Sequence, residues 1–271
     1  MRPENHQNGF TLIELLIGMA ISVVVMTAVI IALFNIQTTS TAIDQRSNIA
    51  MNARGALFLI EENIRLLGFN PEGDMSNNEV MDTGDGCCAR GGFFTFNRND
   101  LDDPTDDADD VTVDIGLAAA DDIDGGVRDG FADSGTTSLV IQGQTAADNI
   151  EVIRFAYAFD DDGDGNVDLS ANNNIRWAID TDGDGELDTE LDTNDDGEID
   201  NNDVVGGSGM TNSVDIDKIR SVKVWLVIRS KHPLKGDMIN QTYVVGDQRY
   251  TPNDNFAHLL HTSTIRCRNM I

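Results

Sequence analysis

The sequence predicts an α+β fold: one long N-terminal helix, half membrane span and half amphipathic, packed on an antiparallel β-sheet with an acidic, loop-rich insert. Three observations predict it. Phe10 to Phe34 is almost wholly apolar, and apolar residues then recur at helical spacing as far as Leu67. Beyond Phe93 the pattern changes to short apolar runs of period two, separated by Gly, Asp and Asn.

The apolar run is long enough to cross a bilayer core as one helix at roughly 1.5 Å per residue. Glu14 is the one charge inside it. A carboxylate at that depth costs about 2.5–3.5 kcal/mol on insertion scales, so a partner or a use is expected for it. The preceding stretch, Met1 to Gly9, carries Arg2, Glu4 and His6 but no apolar core of its own, which argues against a secretory signal peptide. Farther on, Ile49, Ala53, Leu57, Ile60, Ile64 and Leu67 share one helical face, while Asp44, Arg46, Asn52, Arg54, Glu61, Glu62 and Arg65 take the other. The helix is expected to continue to about Leu67, where Gly68 can end it, for a length of roughly 85 Å. Thr38 to Thr41 is a place where hydroxyls compete for backbone bonds and could bend or loosen it.

Strands are expected at Phe93–Phe96, Ser138–Gln142, Asn149–Phe159, Ile175–Ile179, Ile219–Arg229, Gln241–Val245 and Thr262–Arg268, the last two completing the sheet. Asn70 to Arg90 reads as loop. Residues 99–135 form an acidic low-complexity insert, expected to be a solvated, mobile excursion, with Val111–Ile115 as a short strand inside it.

The formal charge is −29 with only 18 basic residues, which makes nucleic acid an improbable partner, since phosphate contacts need clustered Lys and Arg. From Lys218 onward the balance reverses. An acidic middle therefore faces a basic end, to pair within one subunit or between neighbours. His6, His232, His258 and His261 are scattered, and no nucleophile-base set, phosphate loop or zinc-protease motif is present, so no enzyme activity is expected.

A polar leader ending in glycine, then Phe10-Thr11-Leu12-Ile13-Glu14 and an apolar run, resembles the class III signal of type IV pilins and type II secretion pseudopilins. The resemblance implies cleavage between Gly9 and Phe10 by a prepilin peptidase, which methylates the new amino group. It implies a type IV pilin-like fold and a Glu14 that sets assembly register by facing the ammonium of a neighbour's Phe10. Breaking a buried pair of that kind costs about 3–5 kcal/mol. Two further stretches, Ile64-Arg65-Leu66-Leu67-Gly68-Phe69-Asn70 and Ser263-Thr264-Ile265-Arg266-Cys267-Arg268-Asn269, resemble the helix end and the C-terminal strand of PilW-like minor pilins. On this reading residues 1–9 are leader, 10–35 the membrane and filament-core helix, 36–68 its amphipathic half and 69–271 an extracytoplasmic body. That body contains the acidic insert 99–135 and a calcium-loop region 160–203. The implied location is the bacterial inner membrane, single-pass with the body in the periplasm, and then the pilus and cell surface. The implied partners are major and minor pilins. In such a disulfide-permissive compartment Cys267 would pair with Cys87 or Cys88; buried free thiols are the alternative.

Three nine-residue repeats carry candidate chemistry. Asp160, Asp162, Asp164 and Asp168 make the first set, Asp180, Asp182, Asp184 and Asp188 the second, and Asp192, Asn194, Asp196 and Asp200 the third. Each places oxygens at loop positions 1, 3, 5 and 9, glycine at 6 and an aliphatic at 8, with the carbonyl of Asn166, Glu186 or Glu198 at position 7. Hard oxygens converging around a glycine turn are what Ca²⁺ requires, and no His or Cys is present to favour a transition metal. The loops resemble dockerin and thrombospondin type 3 calcium repeats more than EF-hands. Position 12 departs from the EF-hand: Ala171 and Leu191 occupy it in the first two loops, and only Asp203 in the third is acidic. The close succession of the second and third loops suggests that Asp188 to Asp192 serve adjoining ions. The expected function is a minor type IV pilin acting in pilus assembly and priming, its body stabilised by Ca²⁺. Alternatives are a calcium-dependent adhesin displayed on a pilin helix, or a type II secretion pseudopilin.

Overall fold

The computed structural model describes residues 11–68, 89–98, 111–122, 128–234 and 240–270. Helix α1 spans Leu12–Ile64, and the chain divides into two units, up to Gln45 and from Arg46. In the first unit every large apolar side chain from Leu12 to Ile36 is exposed, and the helix is long and apolar enough to cross a membrane. The Thr38, Thr39 and Thr41 hydroxyls donate back to the carbonyls of Asn35 and Gln37, so the competition expected there is absorbed and the helix passes through unbroken.

In the second unit Ile49, Ala53, Leu57, Ile60, Ile64 and Leu67 are buried in one core with the sheet, as their spacing requires. Gly68 ends the last turn at φ +72°, in the left-handed region, and a Cβ there would meet the Asn269 backbone at 3.1 Å. The Ser263 hydroxyl donates to Glu61 at 2.7 Å and the Asn269 amide to the Arg65 carbonyl at 3.2 Å, so the C-terminal strand and tail are tied to the helix.

The sheet is antiparallel and has nine strands: β1 (Phe93–Arg98), β2 (Val111–Leu117), β3 (Thr137–Ile141), β4 (Gln144–Phe159), β5 (Ala178–Ile179), β6 (Glu186–Glu190), β7 (Ser208–Asp215), β8 (Ile219–Arg229) and β11 (His258–Arg266). Strands β1 to β7 follow chain order, and β8 lies between β4 and β11. The sixteen residues of β4 make it central: its first half pairs β3, its end pairs β5, and Ile150 to Phe159 pair β8. Every residue from Ile150 to Phe159 is buried, the charged Glu151 and Arg154 included, so β4 is covered on both faces. Phe94, Phe155 and Tyr157 cluster with ring centroids 5.2–5.9 Å apart, a packing worth about 0.5–1.5 kcal/mol per pair beyond area burial.

The short strand expected at Val111–Ile115 within the acidic insert is present and runs on to Leu117 in the sheet, with Val113, Ile115 and Leu117 fully buried, so this part of 99–135 is not a solvated excursion. Residues 99–110 and 123–127 of the insert lie outside the described residues. Two further expectations are corrected. Gln241–Val245 does not extend the main sheet; Tyr243–Val245 forms β9 of a separate hairpin with β10 (Gln248–Tyr250). Of Ile175–Ile179 only Ala178–Ile179 is a strand, with Ile175 limited to a bridge to Leu169.

Candidate functional site

Two regions carry the candidate chemistry, and the first is the start of α1. Glu14 N–H donates to the Thr11 hydroxyl at 3.3 Å, and the Glu14 carboxylate accepts from both the Thr11 N–H and the Thr11 hydroxyl at 2.9 Å. This is a capping box, in which threonine and the glutamate three residues later satisfy each other's free donors at the helix entrance. The Thr-x-x-Glu spacing was the available signal for it. Glu14 is thus aimed at the residue that follows Phe10. Gly9 and Phe10 themselves lie outside the described residues.

The second region is the set of aspartate loops, each launched from the end of a strand. Asp160 follows β4 directly, Asp180 follows β5, and Asp192 comes two residues after β6. The three share one hydrogen-bond pattern. The carboxylate at position 1 accepts the N–H of the position 6 glycine: Asp160 from Gly165 at 3.0 Å, Asp180 from Gly185 at 3.1 Å, Asp192 from Gly197 at 2.8 Å. Position 3 accepts the N–H of position 5, and position 5 that of position 7, in all three. The glycine at position 6 has φ of +84°, +89° and +90°, a conformation that only glycine adopts without strain.

The loops differ in what closes them. In the first, Asp168 at position 9 accepts the Asp161 N–H at 3.3 Å, and in the second Asp188 accepts the Thr181 N–H at 3.3 Å. In the third the equivalent donor, Thr193 N–H, goes to Asp203 at 2.7 Å, at position 12. Asp200 instead accepts from Asn202 N–H at 2.7 Å. Accordingly, one carboxylate oxygen from each of Asp160, Asp162 and Asp168 lies within 4.8 Å of the others, and the same holds for Asp180, Asp182 and Asp188. Asp164, Asp184, Asn194 and Asp196 spend an oxygen on loop N–H groups. Strand β6 (Glu186–Glu190) carries Asp188, whose carboxylate lies with those of Asp180 and Asp182 of its own loop. Loops one and three meet: the Asn174 amide donates to the Asp195 carbonyl at 2.8 Å, and Ser170 bonds the Asp195 carboxylate.

Burial sets the electrostatics. It raises the carboxyls of Asp180 and Asp192 above their ordinary range, despite the glycine N–H groups that favour the anion. It also opposes ionisation of Asp160, but there the N–H groups of Gly165 and Gly163 and the Arg220 guanidinium at 3.4 Å outweigh it and hold the carboxyl low. The basic end of the chain thus meets the acidic middle within one subunit. Arg249 adds bonds to the carbonyls of Asp200 and Asp203 at 2.5 and 3.1 Å. Cys267 is buried and, among the described residues, a free thiol, pushed up to about 12 by burial; its proposed partners Cys87 and Cys88 lie outside the described residues.

Residues 5–30 match the prokaryotic N-terminal methylation motif. Neither the curated proteins nor the solved structures contain a match to the chain. The motif, on an apolar N-terminal helix followed by an antiparallel sheet, supports a type IV pilin-like or pseudopilin-like protein, processed by a prepilin peptidase, anchored in a membrane and assembled with other pilins.

Proposed function

We propose that this protein is a PilW-like minor type IV pilin that joins other pilins at or near the filament tip and helps prime assembly, a structural rather than catalytic role. The observation that carries the reading is the methylation motif at residues 5–30 on a helix whose apolar face is bare from Leu12 to Ile36. Such a face needs lipid before assembly and neighbouring helices after it. The helix-end and C-terminal stretches that resemble PilW-like pilins are bonded to each other through Asn269 and Arg65, which suits an architectural role for both ends of the chain. The body lies in the periplasm until assembly and is then displayed at the surface.

The same reading assigns Ca²⁺ to the aspartate loops. The donor set fits: hard oxygens converge in the first two loops, the position 6 glycines of all three take the required turn, and among the described residues no His or Cys joins these groups. Asp160, Asp162, Asp164 and Asp168 would hold the first ion, and Asp180, Asp182, Asp184 and Asp188 the second. Asp192, Asn194, Asp196 and Asp203 would hold the third. Bound Ca²⁺ would neutralise the loops and fix the ends of β4, β5 and β6.

Intact-mass and N-terminal sequencing of protein from membranes and from sheared surface filaments tests the first part. A methylated Phe10 start in the filament fraction is expected. A Met1 start confined to membranes would overturn the pilin reading.

A further inference from the structure

Remote in sequence from the aspartate loops lies a second polar cluster, buried where β4, β10 and the start of β11 meet. Glu151 on β4 is 2% exposed, and the side chain of His258 on β11 is fully buried. The His258 Nε2 lies 3.2 Å from a Glu151 carboxylate oxygen and 3.5 Å from one of Asp254. Yet neither ring nitrogen of His258, nor that Glu151 oxygen, makes a hydrogen bond. Buried polar atoms in contact but unbonded require an explanation.

We infer that Glu151, Asp254 and His258 form a binding site for a divalent transition metal of the Zn²⁺ type. One donor atom from each lies within 4.8 Å of the other two. A tetrahedral ion at the usual 2.0–2.2 Å sets its ligands about 3.3–3.6 Å apart; the 3.5 Å separation falls in that range and the 3.2 Å one lies just below it. The imidazole selects against Ca²⁺ and for Zn²⁺ or a similar ion. The remaining oxygens are braced as ligating carboxylates usually are: Arg229 Nη1 donates to Asp254 at 3.4 Å and its Nε lies 3.5 Å from Glu151. Charge favours a cation as well, since two carboxylates face one guanidinium. His258 also lines a cleft of about 380 Å³ with Arg46, Ile49, Tyr243 and Ala257.

The test is equilibrium dialysis of the detergent-solubilised full chain against Zn²⁺ in excess Ca²⁺, with Co²⁺ as spectroscopic probe. One equivalent of Zn²⁺ should bind, Co²⁺ should give the intense visible bands of a tetrahedral site, and His258→Gln should weaken binding at least 100-fold. Arg229→Lys, which leaves all three ligands in place, should weaken it roughly tenfold. Absence of Zn²⁺ binding, or binding unchanged in His258→Gln, overturns the site. Should His258→Gln fail to fold, the Co²⁺ spectrum of the unaltered chain decides: the intense visible bands of a tetrahedral site support it, and their absence rejects it.

Discussion

Glu14 has two duties that single substitutions separate. Its carboxylate caps its own helix through Thr11, and in the proposed filament it also meets a neighbour's amino terminus. Thr11→Val removes the hydroxyl bonds and costs about 1 kcal/mol of helix-end stability, but leaves the charge. Glu14→Leu removes both. Filaments should therefore survive Thr11→Val and be lost with Glu14→Leu, as counted by electron microscopy of sheared material; equal loss in both would make capping the whole of Glu14's role. Asp122 supplies a second residue-scale prediction. It is fully buried, accepts the Gly130 N–H at 2.7 Å and has Arg128 Nε at 3.5 Å. Burial nonetheless pushes its carboxyl up to about 7, from an ordinary 3.8. The folded chain then holds a proton that the unfolded chain releases, so this contribution to stability is complete below pH 3.8 and is lost as pH rises to about 7. Asp122→Asn keeps an acceptor for Gly130 without the titration. Thermal melts of the two chains should converge toward pH 4 and diverge toward pH 7 in favour of the asparagine variant, whereas parallel profiles would refute a raised carboxyl.

Among the elements, α1 and β8 were legible because their patterns persist: Ile219–Arg229 is a long β-branched and aromatic run, buried continuously from Val224 to Ile228, and the buried face of the helix repeats from Ile49 to Leu67. Strand β6 was not, because Glu186-Leu187-Asp188 belongs to a loop repeat and a strand at once. Strand β7 presents mostly exposed polar residues and no apolar stripe. The His258 cluster escaped the sequence for a different reason, since its three residues come from elements that only the sheet brings together. The loops themselves were legible through their glycines and aspartates, but which acid closes each one was not, because that depends on where the chain goes next. After the third loop it turns through Asp200–Asp203 instead of entering a strand at once. Asp203 therefore receives the N–H groups of Thr193 and Asp200, at 2.7 and 2.8 Å. Asp203→Ala would leave both unmade, at about 1–3 kcal/mol, and would abolish the third Ca²⁺ site. Asp200→Ala should change both far less. The second loop should reverse the order, with Asp188 at position 9 indispensable. Calorimetric Ca²⁺ titration of the variants checks this, and an Asp200→Ala chain that loses the third site would restore the position 9 assignment.

At the scale of the whole molecule, charge decides what calcium must do. Residues 160–203 hold seventeen of the 47 acids and one base, Arg176, which the structure pairs with Glu190 at 3.1 Å. Arg220 and Arg249 reach in from the basic end, but they engage one carboxylate and two carbonyls, so most of the negative charge stays uncompensated. Self-repulsion on that scale opposes the compact state, and the strands it acts on, β4 to β6, are the centre of the sheet. Ca²⁺ at 100 times its dissociation constant stabilises by about 2.7 kcal/mol per site, which for a chain of this size raises the melting temperature by roughly 5–10 °C. Chelation should therefore lower the melt by that amount for each occupied site. Added NaCl should restore part of the loss, since about 0.15 M salt already shortens the reach of exposed charge to about 8 Å. Mg²⁺, which demands tighter octahedral geometry and sheds water reluctantly, should restore less than Ca²⁺ does. The ordering Ca²⁺ above Mg²⁺ above NaCl distinguishes coordination from screening: equal recovery by all three would mean that the loops are acidic turns needing only counterions, and an unchanged melt on chelation would remove Ca²⁺ from the fold.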